Sequence, residues 1–250
     1  MAITVLARPI LGRFAPLVVI GIGFGLVAYA LPLHVMAFAA ADGLGWSPES
    51  DFAFFRAVGE RWIETGELYP TEQLNGQHFT NMVTVAYPPP ILLLFVPFVW
   101  LPPVLWWIVP CGVLAYALWR WRPGRWAWAG IALCLAWPTT LDMILIGNTN
   151  LWASAGVAAG LLWGWPAVLL VLKPSLAPLA LIGARRRSWF VAAMLLAVVS
   201  LPLLPLWLDY IGTLHSTGLP LRHVAYGVPL VLIPVAAWAG RTVSRPAPSP

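Results

Sequence analysis

The sequence predicts an all-α fold, a multi-pass bundle of transmembrane helices with a large first loop that carries a helix of its own. Three observations lead there. The 250 residues are 60% hydrophobic and 9% charged, with a mean hydropathy of +0.82, whereas soluble domains carry about 25% charged residues. Several apolar runs reach the roughly 20 residues that a membrane crossing needs. Charge is also sorted along the chain. Seven of the nine acids fall between Asp42 and Glu72, so residues 42–87 carry a net −5 and the remainder a net +10. That pattern is polarised across a bilayer and is no footprint for nucleic acid, which is not an expected partner. The expected organisation is one integral membrane domain over residues 1–245, with an outer loop over 41–87 and a disordered proline-rich tail over 246–250.

Each element follows in turn. Arg8 and Arg13 precede an apolar run from Phe14 to Ala40. The run is longer than the 7 to 15 residues of a signal-peptide core, which favours an uncleaved signal-anchor helix with a cytoplasmic N-terminus. The acidic first loop is then extracytoplasmic. From Pro88 to Trp119 the apolar stretch is too long for one crossing and is interrupted at Leu101-Pro102-Pro103, so a short tilted or re-entrant helix is expected before one full crossing that ends at Arg120, Arg122 and Arg125. Trp126 to Ile146 reads as one outward crossing that closes on Gly147-Asn148-Thr149-Asn150. Leu151 to Ala184 must return to Arg185-Arg186-Arg187 with breaks at Gly164-Trp165-Pro166 and Lys173-Pro174. Charge parity leaves open whether this is one broken crossing or several short helices. Trp189 to Trp207 runs outward, Asp209 to His223 reads as an outer loop, and Ala225 to Gly240 returns to Arg241 and Arg245. No internal repeat is present, which argues against a transporter of duplicated halves. Cys111 and Cys134 sit in apolar runs and read as small core residues.

The acidic island holds the most informative residue. Ser47 and Pro48 read as an N-cap and first helical position and Gly66 as a stop, giving a helix of about five turns. At about 100° per residue Asp51 falls among Phe54, Phe55, Val58 and Trp62, not with Glu60 and Glu64. A carboxylate directed into an apolar face is a candidate base. An acid in the first turn also simply complements the helix dipole, and composition alone does not choose between the two.

Other candidates carry their own alternatives. Arg56 is a possible phosphate ligand, though its spacing to Glu60 favours an ion pair. Lys173 lies in an apolar run with no acid near it in sequence. A charge in mid-bilayer costs about 2.5 to 3.5 kcal/mol by insertion scales, so it is read as functional or as snorkelling to an interface. Asn148 and Asn150 suit sugar hydroxyls or a turn and helix cap. Tyr87 and its prolines set the direction of the following helix. His215, Arg222 and His223 in the last outer loop are candidates to orient phosphate or sugar, or are plainly solvated. The many Trp read mostly as lipid-interface anchors. Phosphate-cradling glycine loops, metal-ligand spacings and a Ser-His-Asp order are not found, so nucleotide hydrolysis, metal catalysis and acyl transfer have no support, and no cofactor or metal is expected.

Four blocks in order resemble glycosyltransferase family 87, membrane enzymes of the GT-C superfamily. Asp51-Phe52 with Phe55 and Ala57, closing at Gly66 to Tyr69, is similar to the family's first-loop Asp motif. Tyr87-Pro88-Pro89 with Pro97 and Leu101-Pro102 is similar to its YPP block. Gly147-Asn148-Thr149-Asn150 resembles its Gly-Gln-x-Asn turn, with Asn148 in place of Gln. Lys173-Pro174 and the Arg185 to Arg187 cluster resemble its Lys-x-Pro helix and basic end, with Pro174 directly after the lysine. The resemblance implies a GT-C-like bundle in the cell membrane. It implies inverting transfer of a sugar, mannose above all, from a polyprenyl-phosphate donor to an acceptor hydroxyl on a lipid or glycan at the outer face. Asp51 would be the base, and Arg56, Tyr87, Asn148, Asn150, Lys173, His215, Arg222 and His223 would surround the substrates. Family members continue through further transmembrane segments beyond the point matching Arg245, which keeps a second expectation beside the first: a short non-catalytic relative that serves as a membrane binding or assembly subunit, or as a transporter component.

Overall fold

A computed structural model describes residues 3–40, 48–75, 84–217 and 222–242, with side chains over 14–37, 48–75, 84–215 and 227–242. Helix makes up 83% of the structure, and no strand occurs among the described residues, as the all-α expectation requires. The expected cap at Ser47, the tail 246–250 and the side chains of Arg222 and His223 lie outside the described residues.

Helix α1 (Ile3–Ala40) contains a 24-residue apolar span, Phe14–Ala37, long enough to cross a membrane. Its side chains are largely exposed, from Phe14 at 58% to Met36 at 67%, and it packs on the rest through one face. Gly23 permits that approach, since a Cβ there would overlap Ala132. Helix α2 (Ser50–Thr65) and the single turn α3 (Thr71–Leu74) occupy the acidic segment. The stop at Gly66 is as expected: its φ is 76° and its amide donates to Trp62 O. Glu49, not Ser47, flanks the start, with a left-handed φ of 70°.

The run after Tyr87 is a compact kinked unit of 3-10 turn Pro89–Ile91, helix α4 (Leu92–Phe95) and 3-10 turn Val96–Val99, followed by the break at Leu101-Pro102-Pro103 and helix α5 (Leu105–Trp121). This agrees with a short non-spanning segment feeding a longer helix. The stretch expected to be one crossing, Trp126 to Ile146, is instead two helices, α6 (Arg125–Ala136) and α7 (Pro138–Leu145), bent by 69° at Trp137. Pro138 lacks an amide proton and disfavours helical backbone at Trp137, so the chain turns there and restarts with proline in the first turn.

Helix α8 (Asn150–Trp163) is followed by two 3-10 stretches, Trp165–Leu172 and Pro174–Gly183, with Lys173 in extended backbone between them. Both predicted breaks are present, and the outcome is several short helices rather than one kinked crossing. Gly164 has φ of 86°, and a Cβ on Gly183 would overlap the Gly164 carbonyl. Both feet of the 3-10 pair therefore sit at the C-terminal end of α8, and Lys173 is the apex of a hairpin that reaches back to the other end. At about 2.0 Å per residue the arms are about 16 and 20 Å long.

Helix α9 (Arg187–Ser200), the turn Leu201–Leu203 and helix α10 (Leu204–Thr217) form a continuous apolar rod, Arg187–His215, of 29 residues. The expected loop from Asp209 is thus helical as far as Thr217. Tyr210 and Leu214 continue the apolar face against the acidic segment, and no proline lies between Asp209 and Thr217. Helix α11 (Arg222–Ala239) starts three residues before the expected Ala225 and packs against α6 and α8. Among the described residues, two helices are therefore long and apolar enough to cross a membrane, or three if the bent α6 and α7 pair is one span.

The main core lies between α2, the Pro89–Val99 unit and the start of α5, where Phe52, Phe55, Phe95, Phe98 and Trp106 are buried and in ring contact. Trp106 is fully buried and Trp121 nearly so, whereas Trp100, Trp119 and Trp126 are exposed at 64 to 70%, as interface anchors would be. Cys111 is exposed on α5 and so is not the core residue expected, whereas Cys134 is half-buried and packs against the core around Ile131 and Leu151.

Candidate functional site

The site starts from two helix ends that satisfy each other. The last carbonyls of α7 and the first amides of α2 lack partners within their own helices. Leu145 O accepts from Glu49 N at 3.0 Å, and Ile146 O accepts from Asp51 N at 3.0 Å and Phe52 N at 3.1 Å. The backbone then turns at Gly147, whose φ is 74° and where a Cβ would overlap Trp107 and Phe52. Trp106 Nε1 donates to Gly147 O at 2.7 Å and Trp107 Nε1 to Ile144 O at 2.6 Å. The turn is pinned from both sides, and the residues after it are held against Asp51.

Asn148 Nδ2 donates to Asp51 Oδ2 at 2.5 Å. The other end of the amide accepts: Asn148 Oδ1 takes a bond from Asn150 N at 2.9 Å and a longer one from Lys173 Nζ at 3.5 Å. Lys173 also donates to Thr149 Oγ1 at 2.8 Å, and Thr149 Oγ1 shares a 2.8 Å bond with the Tyr87 hydroxyl. The ammonium stands 5.8 Å from the Tyr87 ring centroid. Tyr87 is placed in turn by Tyr69, whose hydroxyl donates to Tyr87 O at 2.7 Å. Carboxylate, amide, ammonium, hydroxyl and phenol thus form one connected network drawn from α2, the segment before Pro88, the α7–α8 turn and the hairpin apex.

Asp51 is half-buried at the edge of the face that α2 buries. That face comprises Phe52, Phe55, Val58 and Gly59, so Phe52 and Gly59 replace Phe54 and Trp62 of the expected stripe, which are only partly buried. Burial pushes the phenols of Tyr69 and Tyr87 above their ordinary range, Tyr87 further through the Asp51 charge and in spite of its Thr149 bond. Both remain neutral donors at physiological pH. Two buried polar atoms nearby in sequence, Ser50 Oγ and Trp152 Nε1, have no hydrogen-bond partner among the described residues.

Of the nine residues singled out from sequence, Asp51, Tyr87, Asn148 and Lys173 meet in this network. Asn150 adjoins it through its backbone, while its side chain bonds Met143 Sδ at 3.5 Å and fills the space beside Gly227. Arg56 is turned to Glu60, Nε to Oε1 at 2.9 Å, the ion pair its spacing favours. His215 is exposed on α10. Thr149, buried and bridging Lys173 to Tyr87, was not singled out; its place beside Asn148 in the turn was the available signal. Asp142 pairs with His34 of α1 at 3.2 Å, and no group of three or more potential metal ligands occurs among the described residues.

The network has the parts for proton abstraction by a carboxylate, with a lysine amine on the far side of the Asn148 amide. Two pockets of about 620 and 340 Å³ lie elsewhere, at the opposite end of α5 and α8. Comparisons with protein-family models, with curated proteins and with solved structures give no match to the chain.

Proposed function

We propose that the chain is a membrane glycosyltransferase of GT-C type that transfers a sugar from a polyprenyl-phosphate donor to an acceptor hydroxyl, with inversion. In this reading the bundle is multi-pass with a cytoplasmic N-terminus, and Asp51 faces the outer side. Mannose is the sugar the motif resemblance favours, and a lipid or glycan supplies the hydroxyl. Asp51 takes the acceptor proton as the oxygen attacks the anomeric carbon. Lys173 offsets the charge that develops on the departing lipid phosphate, with the Thr149 and Tyr87 hydroxyls holding the ammonium in place. Asn148 orients Asp51 at one end of its amide and receives Lys173 at the other.

The observation that carries this reading is convergence. Residues from four separate sequence blocks supply the four main members of one hydrogen-bonded network. The unsatisfied Ser50 Oγ and Trp152 Nε1 add polar capacity in the same sequence blocks. The test is transfer of labelled mannose from polyprenyl-phosphate mannose by detergent-purified protein, wild type against Asp51→Asn. Loss of transfer in a variant that still inserts and folds supports the assignment. Transfer at the wild-type rate removes Asp51 from the mechanism, and a wild type inactive with every polyprenyl-phosphate hexose leaves a non-catalytic membrane subunit.

A further inference from the structure

At the end of the molecule opposite Asp51, α5, α6, α8 and α11 meet around arginines that the network above does not use. The chain around this end is stitched together by its backbone. Gly124 N donates to Gly240 O at 2.8 Å, Thr242 Oγ1 donates to Arg122 O at 2.9 Å, and Pro123 and Arg241 form an isolated antiparallel bridge. These bonds bring Arg122 and Arg241, far apart in sequence, to the same rim as Arg120. Arg241 is steadied over the Trp238 ring at 4.3 Å and donates Nη1 to Trp238 O at 2.6 Å. Arg122 closes α5 with φ of 47°, at a position where glycine is the favoured residue.

The two pockets at this end share Tyr116, Arg120, Trp121 and Arg241. The larger, about 620 Å³, adds Trp119, Arg122 and Thr242 and no acidic residue. The smaller, about 340 Å³, adds Leu161, Leu162 and Trp163, with Trp163 stacked on Tyr116 at 5.8 Å and 17°. A basic compartment thus opens onto an apolar, aromatic one at the end of the bundle. Neither Arg120 nor Arg122 forms a carboxylate ion pair among the described residues.

We propose that this double pocket binds the headgroup of an anionic phospholipid, with Arg120, Arg122 and Arg241 on the phosphate and the first acyl carbons along Leu161, Leu162 and Trp163. Guanidinium groups match phosphate oxygens in planar, two-point geometry, and basic pockets between helices at a membrane surface are suited to acidic lipid heads. The apolar half is what distinguishes a lipid from a free anion, which would use only the arginines.

The experiment reads thermal unfolding of the purified full chain in a zwitterionic detergent while phosphatidylglycerol, phosphatidylcholine or inorganic phosphate is titrated in. Three variants accompany it: Arg120→Gln in the pocket, Arg120→Lys as the charge-conserving change, and Arg185→Gln as an exposed arginine outside the pocket. Phosphatidylglycerol raises the midpoint of the wild type and of Arg185→Gln at the same lipid concentration. Arg120→Gln requires about tenfold more lipid, as expected for loss of one charge-assisted contact, and Arg120→Lys lies between them. Equal response to phosphatidylcholine overturns the proposal, as does an equal loss in Arg185→Gln. Full reproduction of the shift by inorganic phosphate also overturns it, because the apolar half would then be idle. Should Arg120→Gln fail to fold, the comparison of Arg120→Lys with Arg185→Gln decides.

Discussion

Asp51 and Asn148 are 97 residues apart in the chain and 2.5 Å apart in space, carboxylate oxygen to amide nitrogen. The contact is not a chance meeting of two surface side chains. Both residues leave the same backbone junction, where Ile146 O receives the first amides of α2. The amide dipole lies between an acid and a base, and its direction is fixed by both. Acid and ammonium are thereby held at the two ends of one amide.

Asp51→Asn keeps an oxygen for the Asn148 amide and removes the charge. Transfer falls by about 10² to 10⁴, the usual range for loss of a general base. The unfolding midpoint moves little, because the helix-end bonds to Ile146 O are backbone bonds. Rate assays with the labelled donor and a thermal melt on the same preparation check both halves.

Lys173→Met separates chemistry from stability. The ammonium's two hydrogen bonds, to Thr149 and Asn148, are lost and transfer is abolished. Stability is unchanged or higher, since an apolar side chain of similar length needs no compensation for leaving water. A melt that falls together with activity would place Lys173 in the scaffold instead.

Gly147→Ala and Gly66→Ala compare one backbone conformation in two settings. Both glycines have φ near 75°, but only at Gly147 does a Cβ overlap neighbours, Trp107 and Phe52. Gly66→Ala costs about 1 kcal/mol for the left-handed backbone. Gly147→Ala adds about 1 to 3 kcal/mol of overpacking and displaces Asn148 from Asp51. Denaturant unfolding orders the two, and transfer is lost only at Gly147.

Tyr69 gives a test in alkaline solution. Its phenol is raised by burial first, then by Tyr210 and by the Asp209 charge. A group whose native pKa lies above its unfolded value contributes stability in full below the unfolded value, about 10 for tyrosine, and loses it as pH rises beyond that towards the native value. Wild-type stability therefore falls above about pH 10. Tyr69→Phe loses about 1 kcal/mol at neutral pH with its bond to Tyr87 O and shows a shallower alkaline decline. Melts from pH 7 to 11 measure both effects.

The proposed orientation predicts opposite labelling of two exposed positions. In a background with Cys111 and Cys134 replaced by alanine, Glu64→Cys reacts with a membrane-impermeant maleimide on intact cells. Arg185→Cys reacts only after the membrane is opened. The reverse result would place Asp51 on the cytoplasmic side and remove the proposed reaction.

Much of the site was legible because its members break a local rule. Asp51 stands by an apolar stripe, Lys173 interrupts an apolar run, and Asn148 follows a glycine at a predicted turn. Thr149 breaks none, as a buried threonine is ordinary at a helix start, and only its two partners reveal it. His215 was misplaced because helix continues beyond Asp209 through residues whose apolar face is covered by the acidic segment, a tertiary contact that local pattern does not carry. The break at Trp137 is legible in Pro138, although the length of the apolar run favours a single crossing. The direction of the 3-10 hairpin was not legible, since a doubled-back segment and a single broken crossing leave the arginines of Arg185 to Arg187 on the same side.

The seat of α2 on the carbonyls of α7 has a consequence for how anything reaches Asp51. Two amides share one oxygen there, and the neighbouring Trp106 and Trp107 are bonded to the same turn. The acid is thus bolted to the frame rather than hung on a swinging arm. A path to it is therefore set by its neighbours and not by movement of α2, and the hairpin tip bearing Lys173 is itself seated between the buried Leu172 and Leu176.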